Sequence, residues 1–334
     1  MTTTPEPVGD PAGSAEPRPR MIIDCDPGHD DAVALVVAAH LADVRGVVTV
    51  AGNADIDRTT RNALVMRDLI GLDAPVHRGC VRPLLVEPSP AAFVHGESGL
   101  DGADLPEPTT PLDGTDGVEF IIETCRAEEG TWLVPVGPLT DIGLAFRLAP
   151  DLPGCIAGVS LMGGGSFGNR SPAAEFNIWA DPEAAAVVFD AFDPSTPGAA
   201  AGELIMAGLD VTHRFQVTPE RIAAMREVPG QLTGLLVGLF EFFTETYLAR
   251  HDDGALRGAA LHDPLAVLAI THPHLFTSHR RHVVIETRGE HTAGMTVIDE
   301  RDLRERAEPN CSILTDVDAD AAFALVLAAA SACP

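Results

Sequence analysis

Lysine is absent from this 334-residue sequence, and all 22 of its basic residues are arginines. This absence excludes the lysine of a P-loop and a lysine that forms a Schiff base. The arginines are outnumbered by 49 acidic residues, which gives a formal charge of −27 at pH 7. Nucleic acids and anionic membrane surfaces bind basic patches, so this charge argues against both kinds of partner.

The sequence also lacks paired cysteines, a secretory segment and long apolar runs. Its six cysteines are dispersed with no CxxC pair, which argues against a zinc cluster and is typical of reduced, buried thiols. Residues 1–20 contain five prolines and no apolar core, which predicts a disordered tail rather than a signal peptide. No apolar run is long enough to span a membrane. We therefore expect a cytoplasmic protein whose folded part begins at Met21.

Short apolar runs alternate with helical patterns along the chain. Strands are predicted at 21–23, 44–50, 132–136, 156–162, 204–207 and 311–314, with helices between them at 32–41, 58–70, 118–126 and 139–148. This alternation predicts an α/β domain with a mostly parallel, Rossmann-like open sheet flanked by helices. Residues 282–286 and 294–299 are predicted to extend the sheet with antiparallel strands. Residues 87–115 are predicted to be a long loop that could serve as a lid.

The strongest chemical signal is the acidic segment DCDPGHDD, residues 24–31, which follows the first predicted strand. Ligands of open parallel sheets bind at the carboxyl ends of the strands. Four clustered carboxylates repel one another unless a cation lies among them, and an all-oxygen donor set favours Ca²⁺ or Mg²⁺. The alternative is a solvated turn whose acidic side chains cap the following helix.

Two further groups of polar residues could contribute to a site. Asp263 lies between His262 and Pro264 at the start of an apolar helix, where it either reaches a metal or caps the helix. Asn169, Glu175 and Asn177 follow the glycine run at 163–165. Their side chains offer donors and acceptors that suit sugar hydroxyls, although a polar loop would have the same composition.

Together these motifs resemble the inosine–uridine nucleoside hydrolase family. The matching segments, in family order, are DCDPGHDDA (24–32), TVAGN (49–53), HGESGLDG (95–102), VGPLTD (136–141), MGG (162–164), AEFNIWADPEA (174–184), GLDVT (208–212) and HDP (262–264). The Cys and His of the first segment are similar to those of pyrimidine-preferring bacterial members. The resemblance covers about residues 21–331 and implies one nucleoside hydrolase domain at 21–334, assembled as a homodimer or homotetramer.

The resemblance also implies a role for each matching residue. It implies Ca²⁺ ligands at Asp26, Asp31 and Asp263, with a main-chain carbonyl from Thr140 or its neighbour. Asp26 is also implied as the general base, and His262 as a catalytic residue on the nucleobase side. The implied substrate-binding residues are Asp30, Asn53, Asn169, Glu175 and Asn177 for the ribose, with His95 in the loop that borders the nucleobase.

The chemistry of these residues agrees with hydrolysis of an N-glycosidic bond, which passes through an oxocarbenium-like sugar. A cation lowers the pKa of water, Asp26 accepts the water proton, and amide and carboxylate groups hold the ribose. Uridine, cytidine and inosine are the expected substrates. Two alternatives remain open: a phosphohydrolase of the haloacid-dehalogenase kind, which would use Asp24 and Asp26, and a non-catalytic protein that binds calcium and ribose.

Two residues depart from the family pattern. Asp141 replaces the asparagine that usually follows the Leu-Thr pair, which we expect to be a change of helix cap with little effect. Trp179 stands where a smaller residue is common, and it either alters the pocket wall or packs elsewhere.

Overall fold

The computed structural model describes residues 17–90, 96, 98–250 and 256–333. Within these residues an eight-stranded sheet has the order β3-β2-β1-β4-β5-β6-β10-β7, and β8 and β9 form a separate antiparallel pair. The strands are β1 (Arg20–Cys25), β2 (Asp43–Thr49), β3 (Val76–Arg78), β4 (Trp132–Pro135), β5 (Gly158–Met162), β6 (Glu203–Ala207), β7 (Phe276–Arg281), β8 (Val283–Ile285), β9 (Thr296–Ile298) and β10 (Cys311–Val317).

Eleven α-helices connect or follow these strands in the described ranges. They are α1 (His29–Leu41), α2 (Ile56–Ile70), α3 (Gly117–Ala127), α4 (Thr140–Leu148), α5 (Phe176–Ala180), α6 (Pro182–Ala191), α7 (Leu209–Thr212), α8 (Pro219–Arg226), α9 (Gln231–Leu248), α10 (Pro264–Thr271) and α11 (Ala319–Ala332). None of the described helices is long and apolar enough to cross a membrane.

The side chains of β1 alternate between two apolar layers, as the pleat of a strand requires. Met21 and Ile23 pack into the layer that contains α1, α2, α9, α10 and α11. Ile22 packs into the opposite layer, which contains α3, α4 and α6. Both faces of the sheet are therefore covered, which is typical of parallel sheets. The predicted fold class, a single α/β domain with a mostly parallel sheet between helices, is confirmed.

The strand order reverses beside β1, and this reversal locates the site. Strands β2 and β3 extend from one side of β1, whereas β4, β5 and β6 extend from the other. All of these neighbours are parallel, so their carboxyl ends lie at one edge. The loops after β1 and β4 separate at such a reversal and leave a crevice that binds ligands in open α/β sheets.

The structure differs from the predicted elements at the sheet edge. The antiparallel strand that joins the sheet is β7, which pairs with β10. The segments predicted as the extension instead pair with each other as β8 and β9. In the predicted loop at 87–115, the described residues contain one isolated bridge, from Gly114 to His77, and no helix or longer strand. Residues 1–16 of the predicted tail lie outside the described residues, and β1 already begins at Arg20.

All six cysteines are free. Cys25, Cys125 and Cys311 are buried, whereas the other three are partly exposed. The expected burial therefore holds for three of the six thiols.

Candidate active site

Asp26 lies at the carboxyl end of β1, at the reversal of strand order. It is fully buried, and its Oδ2 accepts a hydrogen bond from the main-chain N–H of Asn53 at 2.6 Å. Gly52 and Gly137, in the loops after β2 and β4, contact the two oxygens of this carboxylate, and a Cβ atom at either glycine would overlap it. The Asp26 carboxylate therefore lies between these two glycines, and the absence of side chains at both positions makes this possible.

Asp26 Oδ1 has no hydrogen-bond partner among the described residues, although it is buried. An unpaired buried carboxylate oxygen is costly, and it marks a place where a cation, water or substrate group is expected. Burial raises the pKa of Asp26 well above its usual value, and the charge of Asp31 adds to this effect.

Asp31 and Asp263 come from the starts of two different helices and meet at the same point. Asp31 accepts hydrogen bonds from the main-chain N–H groups of Asp26, at 3.1 Å, and Gly28, at 2.9 Å, which fixes its carboxylate beside β1. Asp263 precedes Pro264 at the start of α10 but does not cap that helix with its side chain. Its carboxyl group contacts that of Asp31 instead. The alternative that Asp263 only caps the helix is therefore wrong.

Asp30 joins these two residues in a buried acidic cluster. One carboxylate oxygen from each of Asp30, Asp31 and Asp263 lies within 4.8 Å of the others. Burial, together with the charge of Asp31, raises the pKa of Asp30 to about 8, and burial raises the pKa of Asp263 well above its usual value. No arginine or histidine in the described residues forms an ion pair with these carboxylates. Within the described part of the chain, no basic side chain therefore pairs with the cluster.

The donor set of this cluster fits a hard divalent cation. All of the donors are carboxylate oxygens with no cysteine or imidazole nitrogen among them, which favours Ca²⁺ or Mg²⁺ over zinc. The cluster differs from the predicted carboxylate ligands in two respects: it includes Asp30, for which the sequence predicts a contact with ribose, and it does not include Asp26. Asp26 lies beside the cluster, because its charge raises the pKa of Asp263.

Thr140, the predicted carbonyl ligand, is the first residue of α4 and is buried. Its hydroxyl donates to Asp181 Oδ2 at 2.8 Å, so its side chain is used to hold the start of α6. His95, predicted near the nucleobase, lies outside the described residues.

Two of the predicted ribose-binding asparagines have their amide groups fixed in the same way. The Nδ2 of Asn53 donates to the Asp26 carbonyl and to Asp31 Oδ2, at 3.2 and 3.3 Å. The Nδ2 of Asn177 donates to the carbonyl groups of Val136, at 2.8 Å, and Met162, at 3.1 Å. Each amide orientation is determined by two acceptors, because only the NH₂ group can face them. The Oδ1 of each asparagine has no donor among the described residues and remains a hydrogen-bond acceptor.

Glu175 and Asn169 hold the loop that follows β5. The Glu175 carboxylate accepts hydrogen bonds from the main-chain N–H groups of Gly164, Asn177 and Ile178, so it caps α5 and fixes the glycine run. Gly164 has φ of +73°, a conformation that glycine adopts without strain. Asn169 is exposed and accepts from the Phe176 N–H at 2.9 Å.

His262 is buried and fixed at two points. Its main-chain N–H donates to the Asp30 carboxylate, and its ring Nδ1 lies 2.7 Å from Thr212 Oγ1. The ring also packs at 5.7 Å, centroid to centroid, from that of His213. The structure therefore brings His262 next to the acidic cluster, as its position before Asp263 predicts.

The prediction that Asp141 changes a helix cap is wrong, because its side chain does not cap α4. Its Oδ1 accepts from the Cys80 N–H at 2.7 Å, and its carboxyl group contacts that of Asp24, which is fully buried on β1. Burial raises the pKa of Asp141 to about 6, and burial and the charge of Asp141 raise the pKa of Asp24 well above its usual value. Asp141 and Asp24 thus form a buried carboxyl pair in which burial favours the protonated state.

Other residues near the site carry no clear sequence signal. Tyr247, on α9, is buried close to Asp30, and burial together with that charge raises its pKa to about 12. Its hydroxyl lies 3.5 Å from His213 Nε2. Only the three-dimensional packing of α9 identifies this tyrosine.

Trp179 departs from the family pattern, and the structure shows what its ring contacts. The Arg170 guanidinium lies 4.0 Å from the centroid of the Trp179 ring, so this side chain packs against an arginine.

The sequence of this chain is similar to a known enzyme family. A model of the family described as inosine-uridine preferring nucleoside hydrolase matches residues 21–324. The pyrimidine-specific ribonucleoside hydrolase RihA of Escherichia coli strain SMS-3-5 is 40% identical over 303 residues, which cover 89% of this chain and 94% of that protein.

Solved structures of similar fold belong to the same kind of enzyme. The purine-preferring ribonucleoside hydrolase from Gardnerella vaginalis has a TM-score of 0.83 at 27% identity, over 93% of this chain and 98% of its own. A plant nucleoside hydrolase, PpNRh1, has a TM-score of 0.82 at 26% identity, over 95% of this chain and all of its own. The chain therefore belongs to the inosine-uridine preferring nucleoside hydrolase family and is a nucleoside hydrolase.

Proposed function

We propose that this enzyme is a calcium-dependent ribonucleoside hydrolase that prefers pyrimidine ribonucleosides, with Asp26 as its general base. The observation that carries the proposal is the buried, unpartnered Oδ1 of Asp26 beside the Asp30, Asp31 and Asp263 cluster. This arrangement combines a proton acceptor with an acidic site that pairs with no basic side chain among the described residues.

The metal would be held by Asp26, Asp31 and Asp263, with the Thr140 carbonyl as a further ligand. When bound, the cation would neutralise the carboxylates and lower the pKa of a nearby water. Asp26 Oδ2 is already engaged by the Asn53 N–H, so Oδ1 is the atom that accepts the proton from water. The flanking glycines keep this oxygen in place while leaving room for the water and substrate.

The ribose would be held by acceptors that are fixed before it binds. Asn53 and Asn177 present Oδ1 atoms whose amide orientation is set by two acceptors each, which suits donation from ribose hydroxyls. Asp30 would contact the 2′-hydroxyl, while Glu175 and Asn169 would bind the opposite end of the sugar. Such pre-oriented groups lower the entropic cost of aligning the sugar with the water.

His262 would act on the leaving base. Departure of uracil or hypoxanthine becomes easier when a group donates a proton or hydrogen bond to the base. The His262 ring is held beside the cluster by Thr212 and its own main chain, so it can serve this purpose.

The preference for pyrimidines rests on the relatives. The E. coli relative at 40% identity is named pyrimidine-specific, whereas the G. vaginalis structure at 27% is named purine-preferring. The higher identity over most of the chain favours uridine and cytidine, with inosine as the second candidate.

The test is a substrate panel with the calcium-loaded enzyme. Uridine, cytidine, inosine and adenosine are supplied separately, together with uridine monophosphate, and free base, ribose and inorganic phosphate are quantified. The proposal expects base and ribose from uridine or cytidine at the highest kcat/KM. Release of phosphate from the nucleotide would favour the phosphohydrolase alternative. Calcium and ribose binding without turnover of any nucleoside would favour the binding-protein alternative.

A further inference from the structure

Thr212 contacts the ring of His262, and the proposed mechanism does not say what its hydroxyl contributes to the chemistry. It ends the short helix α7, which follows Gly208 at the carboxyl end of β6, and it is fully buried. Its Oγ1 lies 2.7 Å from His262 Nδ1, and no other side-chain bond is formed by this hydroxyl among the described residues. The contact joins two segments that are 50 positions apart in sequence.

The hydrogen of the Thr212 hydroxyl determines which ring nitrogen of His262 carries the proton. A neutral imidazole has one N–H and one nitrogen lone pair. If Nδ1 carried the proton, it would donate to Oγ1, and the buried hydroxyl hydrogen would lack an acceptor within the described residues. Buried polar hydrogens are almost always bonded, because leaving one unpaired forfeits its interaction with water. The hydroxyl therefore donates to Nδ1, and the imidazole proton resides on Nε2.

We propose that Thr212 is a positioning residue that holds neutral His262 in the Nε2–H tautomer and fixes its ring plane, so that Nε2 donates to the departing nucleobase. The same logic operates wherever a hydrogen bond to one ring nitrogen selects the tautomer at the other. This inference rests on the proposed role of His262 in leaving-group departure. It explains why a hydroxyl, rather than an apolar side chain of the same shape, occupies position 212.

Two variants separate the hydroxyl from the shape of the side chain. Thr212→Val keeps the volume and removes the donor, whereas Thr212→Ser keeps the donor and removes a methyl group. We expect Thr212→Val to lower kcat on uridine ~10- to 100-fold, the usual cost of losing a group that orients a functional histidine. Thr212→Ser should retain most of the wild-type kcat. Hydrolysis of p-nitrophenyl riboside, whose leaving group departs without protonation, should be slowed by neither.

The tautomer can also be read without any activity assay. ¹⁵N-labelled histidine in the calcium-loaded wild-type enzyme, with the His262 signals identified from the His262→Asn variant, distinguishes a protonated Nε2 from a protonated Nδ1. Nε2–H in the wild-type protein supports the assignment. A proton on Nδ1 would overturn it. It would also be overturned if Thr212→Val lowered kcat equally on uridine and p-nitrophenyl riboside, or if Thr212→Ser and Thr212→Val lowered kcat on uridine equally.

A His262→Ala variant distinguishes failure of this inference from failure of the proposed function. If His262→Ala slows both substrates equally, the role of His262 in base departure is wrong. If His262→Ala slows only uridine while Thr212→Val has no effect, the role of His262 stands and that of Thr212 is refuted.

Discussion

Replacing Asp141 with asparagine should stabilise the enzyme at neutral and alkaline pH. In the folded protein, burial raises the pKa of Asp141 from 3.8 to about 6, and burial and the charge of Asp141 raise the pKa of its carboxyl neighbour Asp24 well above its usual value. Because one pKa unit corresponds to about 1.4 kcal/mol, ionising Asp141 in this environment costs the folded state about 3 kcal/mol at pH values well above 6. The amide of the Asp141→Asn variant would keep an oxygen for the Cys80 N–H and gain an NH₂ group that can donate to Asp24.

The raised pKa of Asp141 determines how its contribution to the free energy of unfolding changes with pH. The folded-state pKa of Asp141 lies above the unfolded value, so the folded protein retains a proton that the unfolded chain has lost between about pH 4 and pH 6. The contribution of Asp141 to stability is therefore fully present below pH 3.8 and is lost as the pH rises through 6. An asparagine does not ionise, so the Asp141→Asn variant avoids this loss.

Urea unfolding of both proteins at a series of pH values, at constant calcium, measures the difference. We expect the variant to exceed the wild type by up to about 3 kcal/mol at pH 8, with a difference that shrinks as the pH falls towards 4. Asp73→Asn, which removes the same charge from an exposed position, is the control for the loss of one carboxylate. A difference of equal size at both pH values, or a variant that is less stable at pH 8, would refute the carboxyl-pair interpretation.

Four further outcomes test the proposed site. Asp26→Asn should retain calcium, measured by calorimetry, but lose ~10²–10⁴-fold in kcat on uridine, because the amide cannot accept the water proton; near-normal turnover would move the base to another residue. Gly137→Ala should also reduce kcat, since its Cβ would lie 2.6 Å from Asp26 Oδ1, whereas Gly154→Ala, with open space around it, should not. Thorough chelation should abolish activity and lower the melting temperature, with both restored by calcium; unchanged melting would contradict an integral ion. Uridine should be preferred to 2′-deoxyuridine by ~10⁴-fold in kcat/KM, because the missing hydroxyl takes away the substrate partner of buried Asp30. Equal values would rule out that contact.

The fold could be predicted where apolar runs and helix signals coincide. The segment Asp181-Pro182-Glu183 predicts a helix start, and in the structure the Asp181 side chain accepts from the Ala184 N–H at the beginning of α6. The edge strands escape sequence prediction for physical reasons. Strand β3 has three residues, and β7 is mostly polar and partly exposed, so neither shows the buried apolar run that marks a central strand.

The identity of the site residues was more predictable than their contacts. The sequence places Asp26, Asp31 and Asp263 in motifs, and the structure brings their carboxylates together. The sequence does not reveal that the Asn53 amide faces Asp31, nor that Asp141 meets Asp24. These contacts form between loops that follow different strands. They depend on how the strands are arranged in the sheet, which the local sequence of either loop does not determine.

Two helix N-termini converge on this site and offset only part of its negative charge. Asp30 and Asp31 lie in the first turn of α1, and Asp263 precedes the first residue of α10, so both helix N-termini face the cluster. Each N-terminus carries roughly +0.5 of an elementary charge, which sums to about +1. That positive charge offsets only part of the negative charge of four buried carboxylates, when Asp26 is counted with the cluster. No ion pair in the described residues supplies further positive charge. The remaining repulsion is relieved either by protons, as the raised pKa values indicate, or by a divalent ion that would restore the carboxylates to the ionised state that the proposed general base requires.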